Sequence, residues 1–299
     1  MTVNEYLEKL LEDHKLSDEE REEIQTTSDE VREKLNNEFG RKIVTIKYSG
    51  SIAKHTAITE SKDIDLAVHF KKTAFETLEE MYNSVFDYLQ KNYALRKQKV
   101  SIGLVDLNVD VVPGRRIDEE DESNNDVFLY KTDDGGRIKT NIETHKKHIS
   151  ESGCRKIIRL AKIWKIKHDL KFKSFALELL VIQALENSDK TSLSDRFKEV
   201  LEYIKENVEQ VRLVDPANSN NNVADAVQPI DKTLFKMKAE IGLGYIKDAE
   251  EGQESLLSAW KKVFNDFSGD SDFEGGNSSN IIIKRETADY GRQPERRHG

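Results

Sequence analysis

Two aspartates lie one residue apart in a stretch that is otherwise apolar and β-branched. Asp63 and Asp65 belong to the segment DIDLAVHF (63–70), which the pattern predicts to be a strand. Alternate residues of a strand project to the same face, so the two carboxylates would lie side by side. Neighbouring carboxylates repel each other unless a cation lies between them. Oxygen ligands of this kind suit Mg²⁺ or Mn²⁺ held together with substrate phosphates.

A later stretch offers a third carboxylate for the same metal site. The segment VDLNVDVVP (105–113) alternates Asp106 and Asp110 with apolar residues, which predicts that both lie on one face of a strand. We expect Asp110 to be the ligand, because it lies nearer the predicted end of that strand at Pro113. Two divalent ions held in this way activate an attacking oxygen and stabilise a leaving oxygen in nucleotidyl transfer.

A Gly-Ser pair precedes the aspartates and has a chemistry of its own. Gly50 allows backbone geometry that other residues avoid, and Ser51 adds a hydroxyl and a backbone amide. Such a turn can bind a triphosphate. An isolated Asp-x-Asp is more often a solvated strand edge, and an isolated Gly-Ser is weaker still. The combination of the two with a later strand aspartate is much more specific.

This combination resembles the signature of the DNA polymerase beta-like nucleotidyltransferase superfamily. Within it, GSIAKHTAITESKDIDLAV (50–68) and the later VDVVP (109–113) are similar to the bacterial cGAS/DncV-like nucleotidyltransferases, the CD-NTases. Members of that family make cyclic oligonucleotide signals in anti-phage defence. The likeness extends over roughly residues 45–225, through CRKIIRLAKIWK (154–165), KSFALELL (173–180) and DPANSNNNVAD (215–225). His55 departs from it, because many relatives carry glycine there.

The resemblance implies further nucleotide contacts, each with a structural alternative. Lys162 is implied to bind the donor triphosphate, with Lys165 second, unless both belong to a solvated basic helix face. Ser174 is implied to touch a phosphate or ribose, although it could simply cap a helix. Asn141 is a candidate for reading the base edge, and Asn222 for contacting the base from a loop at 215–225 that is otherwise a surface turn. Two residues are expected to be structural: Glu178 as an ion-pair partner and His145 as a packing or capping residue.

The elements that must position these residues predict an α/β (α+β) fold. We expect a nucleotidyltransferase lobe with a mixed β-sheet and N-terminal helices over residues 1–142, and a helical C-terminal lobe over 143–267. The active site would lie in the cleft between them. Residues 268–299 have the composition of a flexible tail. The helical patterns of the second lobe cover 143–168, 174–187, 193–210, 231–240 and 246–267.

Composition narrows the classes of partner. The chain has 299 residues, 36% of them hydrophobic and 34% charged, and a formal net charge of −9. Such a charge argues against a requirement for a long nucleic acid. Cys154 is the only cysteine, which excludes an intramolecular disulfide. Neither a signal peptide nor an apolar run of membrane-spanning length is recognisable, so we expect a cytoplasmic protein.

The resemblance predicts the reaction and the partners. We expect synthesis of a cyclic di- or trinucleotide from nucleoside triphosphates, ATP among them, with release of pyrophosphate and two Mg²⁺ ions that Mn²⁺ can replace. One alternative is transfer to another acceptor: a linear oligonucleotide, a tRNA, a protein or a small molecule. Another is a nucleotide-binding scaffold or inactive sensor. Gly299 resembles the end of family members that are conjugated to partners by a ubiquitin-like transfer system.

Overall fold

The N-terminal half of the chain is built on a mixed sheet. The computed structural model describes residues 1–118 and 124–267, and within them seven strands join in one sheet. The strands are β1 Ile43–Tyr48, β2 Ile64–Phe70, β3 Leu95–Lys97, β4 Ile102–Leu104, β5 Val109–Arg116, β6 Val127–Tyr130 and β7 Arg137–Thr140. Their order is β1-β2-β5-β4-β3, with β6 paired to β5 and β7 to β6. The pair β2 and β5 is parallel and the others are antiparallel, which confirms the mixed α/β fold.

Helices precede this sheet, interrupt it and follow it. They are α1 Val3–Asp13, α2 Asp18–Phe39, α3 Gly50–Lys54, α4 Leu78–Leu89, α5 Ile142–Glu151, α6 Arg155–Lys167, α7 Ser174–Ala184, α8 Leu193–Asn207, α9 Pro229–Glu250 and α10 Leu256–Val263. The second helix begins with a capping box, in which Ser17 and Glu20 each bond the other's backbone amide. Among the described residues, no helix is both long and apolar enough to cross a membrane.

Two groups of buried side chains form the interior. The alternating residues Leu66, Val68 and Phe70 of β2 pack with α2 and α4 on one face of the sheet. The C-terminal helices bury a second group, which α1 joins through Leu7 and Leu10. Residues 1–266 form one compact unit, so the division into lobes at residue 142 stays a prediction.

The strand that carries Asp110 is longer than expected. Its predicted end at Pro113 is wrong, because β5 continues through Pro113 to Arg116. One edge of β5 pairs with β4 as far as Val111 and with β6 from Gly114 onward. Pro113 lies in the gap between these two partners, where a missing N–H leaves no ladder bond unmade on that edge.

Asp106 does not share a strand with Asp110. It lies exposed in a 3₁₀ turn over Val105–Leu107, and Asn108 then takes a left-handed conformation with φ of +51°. The expectation of a common strand face is therefore wrong. The turn interrupts the alternation on which that expectation rested.

Four predicted segments of the second half also differ. The helix expected over 143–168 is two helices, α5 and α6, separated around Gly153 at φ of +63°. The helices expected over 231–240 and 246–267 have other bounds. Helix α9 runs unbroken from Pro229 to Glu250, and α10 begins after Gly252, which has a positive φ. The loop expected at 215–225 contains a hairpin, β8 Val214–Asp215 with β9 Asn218–Asn222.

Some predictions fall on residues outside the described part. They concern the tail over 268–299 and the role of Gly299.

Candidate active site

The parallel pair of strands brings the predicted carboxylates together. Asp65, the second residue of β2, is in register with Asp110, the second residue of β5. Asp63 lies exposed, one residue before β2 begins. Because the two strands are parallel, all three residues lie at the same end of the sheet, where both strands begin. They are thus neighbours at the start of the strands, whereas the sequence had suggested a strand end for Asp110.

The electrostatics of these carboxylates fit a cation. Burial raises the pKa of Asp65 to about 6, the charge of Asp110 adds to the rise, and the Lys54 ammonium opposes it. Burial likewise raises the pKa of Asp110, against the opposing charge of Arg96 and a hydrogen bond from Gln98 Nε2 to Asp110 Oδ1 at 2.7 Å. A divalent ion would relieve the cost of ionising both groups.

The donor set matches Mg²⁺ or Mn²⁺ in chemistry, since it consists of carboxylate oxygens. Asp63, Asp65 and Asp110 are the residues that would hold the ions. Within residues 1–118 and 124–267, however, no three His, Cys, Asp or Glu side chains are already grouped closely enough to bind a metal. The carboxylates are adjacent but have not converged on a common point.

The Gly-Ser pair begins a short helix, not a simple turn. Gly50 is the first residue of α3 and has φ of +57°. A Cβ atom placed on it would lie 1.7 Å from Asp65 Oδ2, so only glycine leaves room for that carboxylate. The Ser49 amide donates to the Asp65 carbonyl at 2.8 Å, which ties the start of α3 to β2. The Ser51 hydroxyl makes no hydrogen bond within the described residues and is partly exposed.

Lys162 does not face solvent. It is 0% exposed, and its ammonium donates to Glu178 Oε1 at 2.9 Å, Thr56 O at 3.0 Å and Thr56 Oγ1 at 3.1 Å. These three bonds use all of its donors, and the alternative of a solvated basic face is also wrong for this residue. The triphosphate contact implied for Lys162 is not made in this conformation and stays an untested prediction.

Glu178 on α7 pairs with lysines of both α3 and α6. Its other oxygen pairs with Lys54, and Thr56 Oγ1 donates to Oε1 at 2.6 Å. Two buried cations lower the pKa of Glu178 to about 2 in spite of its burial. The structural ion-pair role expected for Glu178 agrees with this geometry.

Lys54 is a site residue that the sequence reasoning missed. Its ammonium lies between the Glu178 carboxylate, the charge of Asp65 and the ring of Phe175, whose centroid is 4.8 Å away. It belongs to the GSIAK stretch and could have been found from its place one turn after Gly50. Lys165 is partly buried, donates to the Phe172 carbonyl at 3.4 Å, and lies near enough to Asp63 for the charges to interact.

The remaining predicted contacts have mixed outcomes. Ser174 is the first residue of α7 and does not cap it, since Lys173 holds the cap position, and its hydroxyl makes no hydrogen bond in the described part of the chain. The Asn141 amide caps α5 through Thr144 N at 3.1 Å and donates to Asp126 at 2.8 Å. The Asn222 amide accepts from Leu213 N at 2.9 Å. Both asparagine side chains are therefore used in holding the fold.

Gly50 and Lys54 also line a cavity of about 200 Å³. His145 and Phe175 line it, with ring centroids 4.7 Å apart, and His145 Nε2 is 2.7 Å from Asp215 Oδ1. His145 thus packs on Phe175, which agrees with the packing alternative expected for it, and it also pairs with Asp215. Residues 145 and 215 are far apart in the chain, and nothing local signals their contact.

Comparison with known proteins agrees with this geometry. Residues 1–126 match the Second Messenger Oligonucleotide or Dinucleotide Synthetase domain. A CBASS oligonucleotide cyclase CdnC from Escherichia coli (strain KTE188) is 28% identical over 211 residues, which are 63% of this chain and 66% of that protein, just under two thirds of its length. A cyclic AMP-AMP-AMP synthase from E. coli (strain MS 115-1) is 25% identical over 272 residues, 76% of this chain and 82% of that one.

Solved structures show the same fold. The CdnC of E. coli MS115-1, in complex with HORMA-deltaN, superposes with a TM-score of 0.70 at 21% identity, over 91% of this chain and 98% of that one. The same protein with ATP gives a TM-score of 0.67 at 22% identity, over 88% and 98%. The domain match, the two relatives and the adjacent Asp65 and Asp110 together make this chain similar to the bacterial CD-NTases, the cGAS/DncV-like nucleotidyltransferases.

Proposed function

We propose that this protein is a CD-NTase that joins nucleoside triphosphates, ATP among them, into a cyclic di- or trinucleotide and releases pyrophosphate. The observation that carries the proposal is the register pair of Asp65 and Asp110 beside the glycine that starts α3. The carboxyl groups of Asp65 and Asp110 have a raised pKa, and the nearby charges of Lys54 and Arg96 do not offset the rise. Both carboxyl groups are therefore prepared for divalent cations and not for a structural salt bridge.

Each part of the site has a task in this reaction. Asp63, Asp65 and Asp110 hold two Mg²⁺ ions, which Mn²⁺ can replace and which, when bound, supply Lewis-acid activation of the attacking hydroxyl and stabilisation of the leaving pyrophosphate. Gly50 and Ser51 receive the triphosphate at the start of α3, through their backbone amides and the Ser51 hydroxyl. Asp110, on the strand next to Asp65, assists removal of the proton from the acceptor hydroxyl.

Two lysines add positive charge beside Asp63 and Asp65. Lys54 is fixed by Glu178 beside Asp65, and Lys165 lies within electrostatic range of Asp63. Both can offset the charge that a triphosphate brings into the cleft. Ser174 offers a free hydroxyl at the N-terminus of α7 for a phosphate or ribose oxygen.

The product distinguishes this proposal from its alternatives. The purified protein is incubated with all four nucleoside triphosphates and Mg²⁺, and the products are identified by mass spectrometry. A cyclic product made without any added acceptor supports the proposal, and the Asp65→Asn variant must lack it. Release of pyrophosphate only after addition of a tRNA, protein or small molecule would indicate transfer to another acceptor. Triphosphate binding without pyrophosphate release would indicate a scaffold or sensor.

A protein partner is the second variable of this experiment. The E. coli MS115-1 CdnC is seen in complex with a HORMA protein. We therefore propose a HORMA protein as the first partner to add if this chain alone releases no pyrophosphate. A cyclic product that depends on such a partner would keep the proposed chemistry and add a requirement for assembly.

A further inference from the structure

A second cavity lies behind α3, on the side away from the carboxylates. Gly50 and Lys54 are one turn apart and face Asp65 and Glu178. Ile52 and His55 point in the opposite direction and line a cavity of about 320 Å³. The same five-residue helix therefore separates the triphosphate site from this cavity. We call it the rear pocket, and its lining includes Lys15, Arg21, Tyr48, Ile52, His55 and Arg159.

The rear pocket is basic. Lys15, Arg21, His55 and Arg159 line it, and none of its lining residues is acidic. Acidic groups contact the lining residues only from outside: Glu12 pairs with Lys15 at 3.1 Å, Asp18 is 4.0 Å from Arg21, and Asp29 accepts from Gln25 Nε2 at 2.8 Å, while Glu8 and Glu12 act on Arg159 only at longer range. The first two pairs are largely exposed and therefore weak. The cavity thus presents a net positive charge to whatever enters it.

Arg159 contributes an unsatisfied hydrogen-bond donor to this lining. Its Nε is buried, yet within the described residues it has no hydrogen-bond partner and the side chain makes no ion pair. Buried donors are almost always satisfied in folded proteins, and a guanidinium pairs best with a planar or tetrahedral oxyanion. An unsatisfied guanidinium donor lining a basic cavity indicates that an anionic group completes it.

The rest of the wall is apolar and partly aromatic. The ring of Tyr48 lies beside Leu16, Ile24, Ile52 and Ala57, and the guanidinium of Arg32 lies 4.8 Å from the centre of that ring. A volume of about 320 Å³ is at the small end of the range for sites that bind organic ligands. An inorganic ion alone would leave this apolar surface uncovered.

We propose that the rear pocket binds a small molecule that joins a planar apolar ring system to a phosphate or carboxylate group, and that its binding changes turnover through α3. The anionic group pairs with Arg159, and the ring system packs on Tyr48. A ligand there presses on Ile52 and His55, which are continuous in the backbone with Gly50 and Ser51. The effect on turnover rests on the proposed function, whereas the binding site does not.

Calorimetric titration tests the site without any catalysis. The probe is 1-naphthyl phosphate, with inorganic phosphate and uncharged 1-naphthol as its two halves, in the absence of divalent metal. We expect the probe to bind more tightly than either half. Arg159→Gln should weaken binding about tenfold or more, because a hydrogen bond to a charged group is lost. Gln25→Trp, at an exposed lining position on α2, should abolish binding by filling the cavity.

The matched control is Lys167→Gln, which removes one positive charge from the same helix as Arg159 but outside the cavity. Its affinity for the probe should equal that of the wild type, and thermal unfolding must show that all variants fold. Equal affinity in Arg159→Gln and wild type, or no binding by the wild type, would overturn the site. So would unimpaired binding by Gln25→Trp.

Turnover then tests the coupling. Saturating 1-naphthyl phosphate should change the rate of pyrophosphate release at least about twofold in the wild type and leave it unchanged in Arg159→Gln. Binding that leaves the wild-type rate untouched would overturn the coupling and keep the site. Binding with no pyrophosphate release under any condition would count against the proposed function and again keep the site.

Discussion

Gly50 lies directly against the carboxylate of Asp65. A Cβ atom at residue 50 would be 1.7 Å from Asp65 Oδ2, and the glycine has φ of +57°. The backbone of the proposed triphosphate site and a carboxylate proposed to hold the metal are therefore packed as one unit. A side chain at position 50 would strain the backbone and displace the carboxylate together.

Gly50→Ala should separate steric from purely conformational effects. We expect a loss of turnover of roughly a hundredfold or more, because the displaced carboxylate no longer meets the substrate correctly. Gly135→Ala is the matched control, since Gly135 also has a positive φ, +69°, but no atom within 4 Å of its added Cβ. It should cost about 1 kcal/mol of stability and leave turnover normal. Equal turnover in the two variants would contradict the close packing of Gly50 on Asp65.

Asp65→Asn should remove turnover and stabilise the metal-free protein. The folded protein raises the pKa of Asp65 from 3.8 to about 6, so between these values the folded state binds more protons than the unfolded state. The free energy of unfolding then falls as pH rises through this window. Since Asp65 is partly exposed, we expect the variant to be more stable than wild type by on the order of 1 kcal/mol above pH 6.

Urea unfolding without divalent metal measures this difference. It should be present at pH 7 and vanish at about pH 3, below both pKa values, where the carboxyl group is protonated in both states. Added Mg²⁺ should stabilise the wild type at pH 7 and not the variant, because binding to the folded state alone raises its stability. Turnover of the variant should fall roughly a thousandfold. Stabilisation of Asp65→Asn by Mg²⁺ to the same extent as wild type would contradict the metal assignment.

The two aspartates of the VDLNVD segment provide a matched pair. Asp110→Ala should be as damaging to turnover as loss of Asp65, whereas Asp106→Ala should leave turnover near that of the wild type, because Asp106 is exposed in a 3₁₀ turn. Rates at saturating ATP and Mg²⁺ compare the two variants. The opposite ranking would show that the third carboxylate has been placed at the wrong position.

Local pattern was sufficient for the long elements of this fold and for the carboxylate pair. Strand β2 and helix α2 follow apolar periods that sequence alone displays, and Asp65 and Asp110 stand out as charges within β-branched runs. Strands β3, β6 and β7 are only three or four residues long, too short for alternation to be distinguished from chance. The break at Gly153 lies within a continuing apolar period, so that period predicts one helix where the structure has two.

Long-range pairing explains what remained hidden at the site. Lys162 and Thr56 are 106 positions apart, and Lys54 and Glu178 are 124 apart. A helical wheel places Lys162 on a charged face of α6 and carries no information about the carboxylate that meets it. Only the packing of α6 and α7 on α3 turns that face inward.

We expect opposite effects on stability and on substrate binding from substitution of the buried Lys162 and of the partly exposed Lys165. Lys162→Met removes one partner of a buried ion pair and leaves Thr56 without its donor, so the free energy of unfolding should fall by about 3 kcal/mol. Lys165→Met removes a charge near Asp63 and a single long bond to the Phe172 carbonyl. It should leave stability nearly unchanged and raise KM for ATP more than it lowers kcat, because a phosphate contact present before and during the reaction acts mainly on binding.

Urea unfolding and steady-state kinetics on both variants distinguish these roles. In Lys162→Met any rise in KM should be accompanied by the loss of stability, since Glu178 then holds Lys54 alone and the end of α3 loosens. Lys162→Met with wild-type stability and a raised KM would instead mean that this lysine leaves Glu178 to meet the triphosphate, as the resemblance implies. Lys165→Met with an unchanged KM would remove Lys165 from the site and leave Lys54 as the lysine beside the carboxylates.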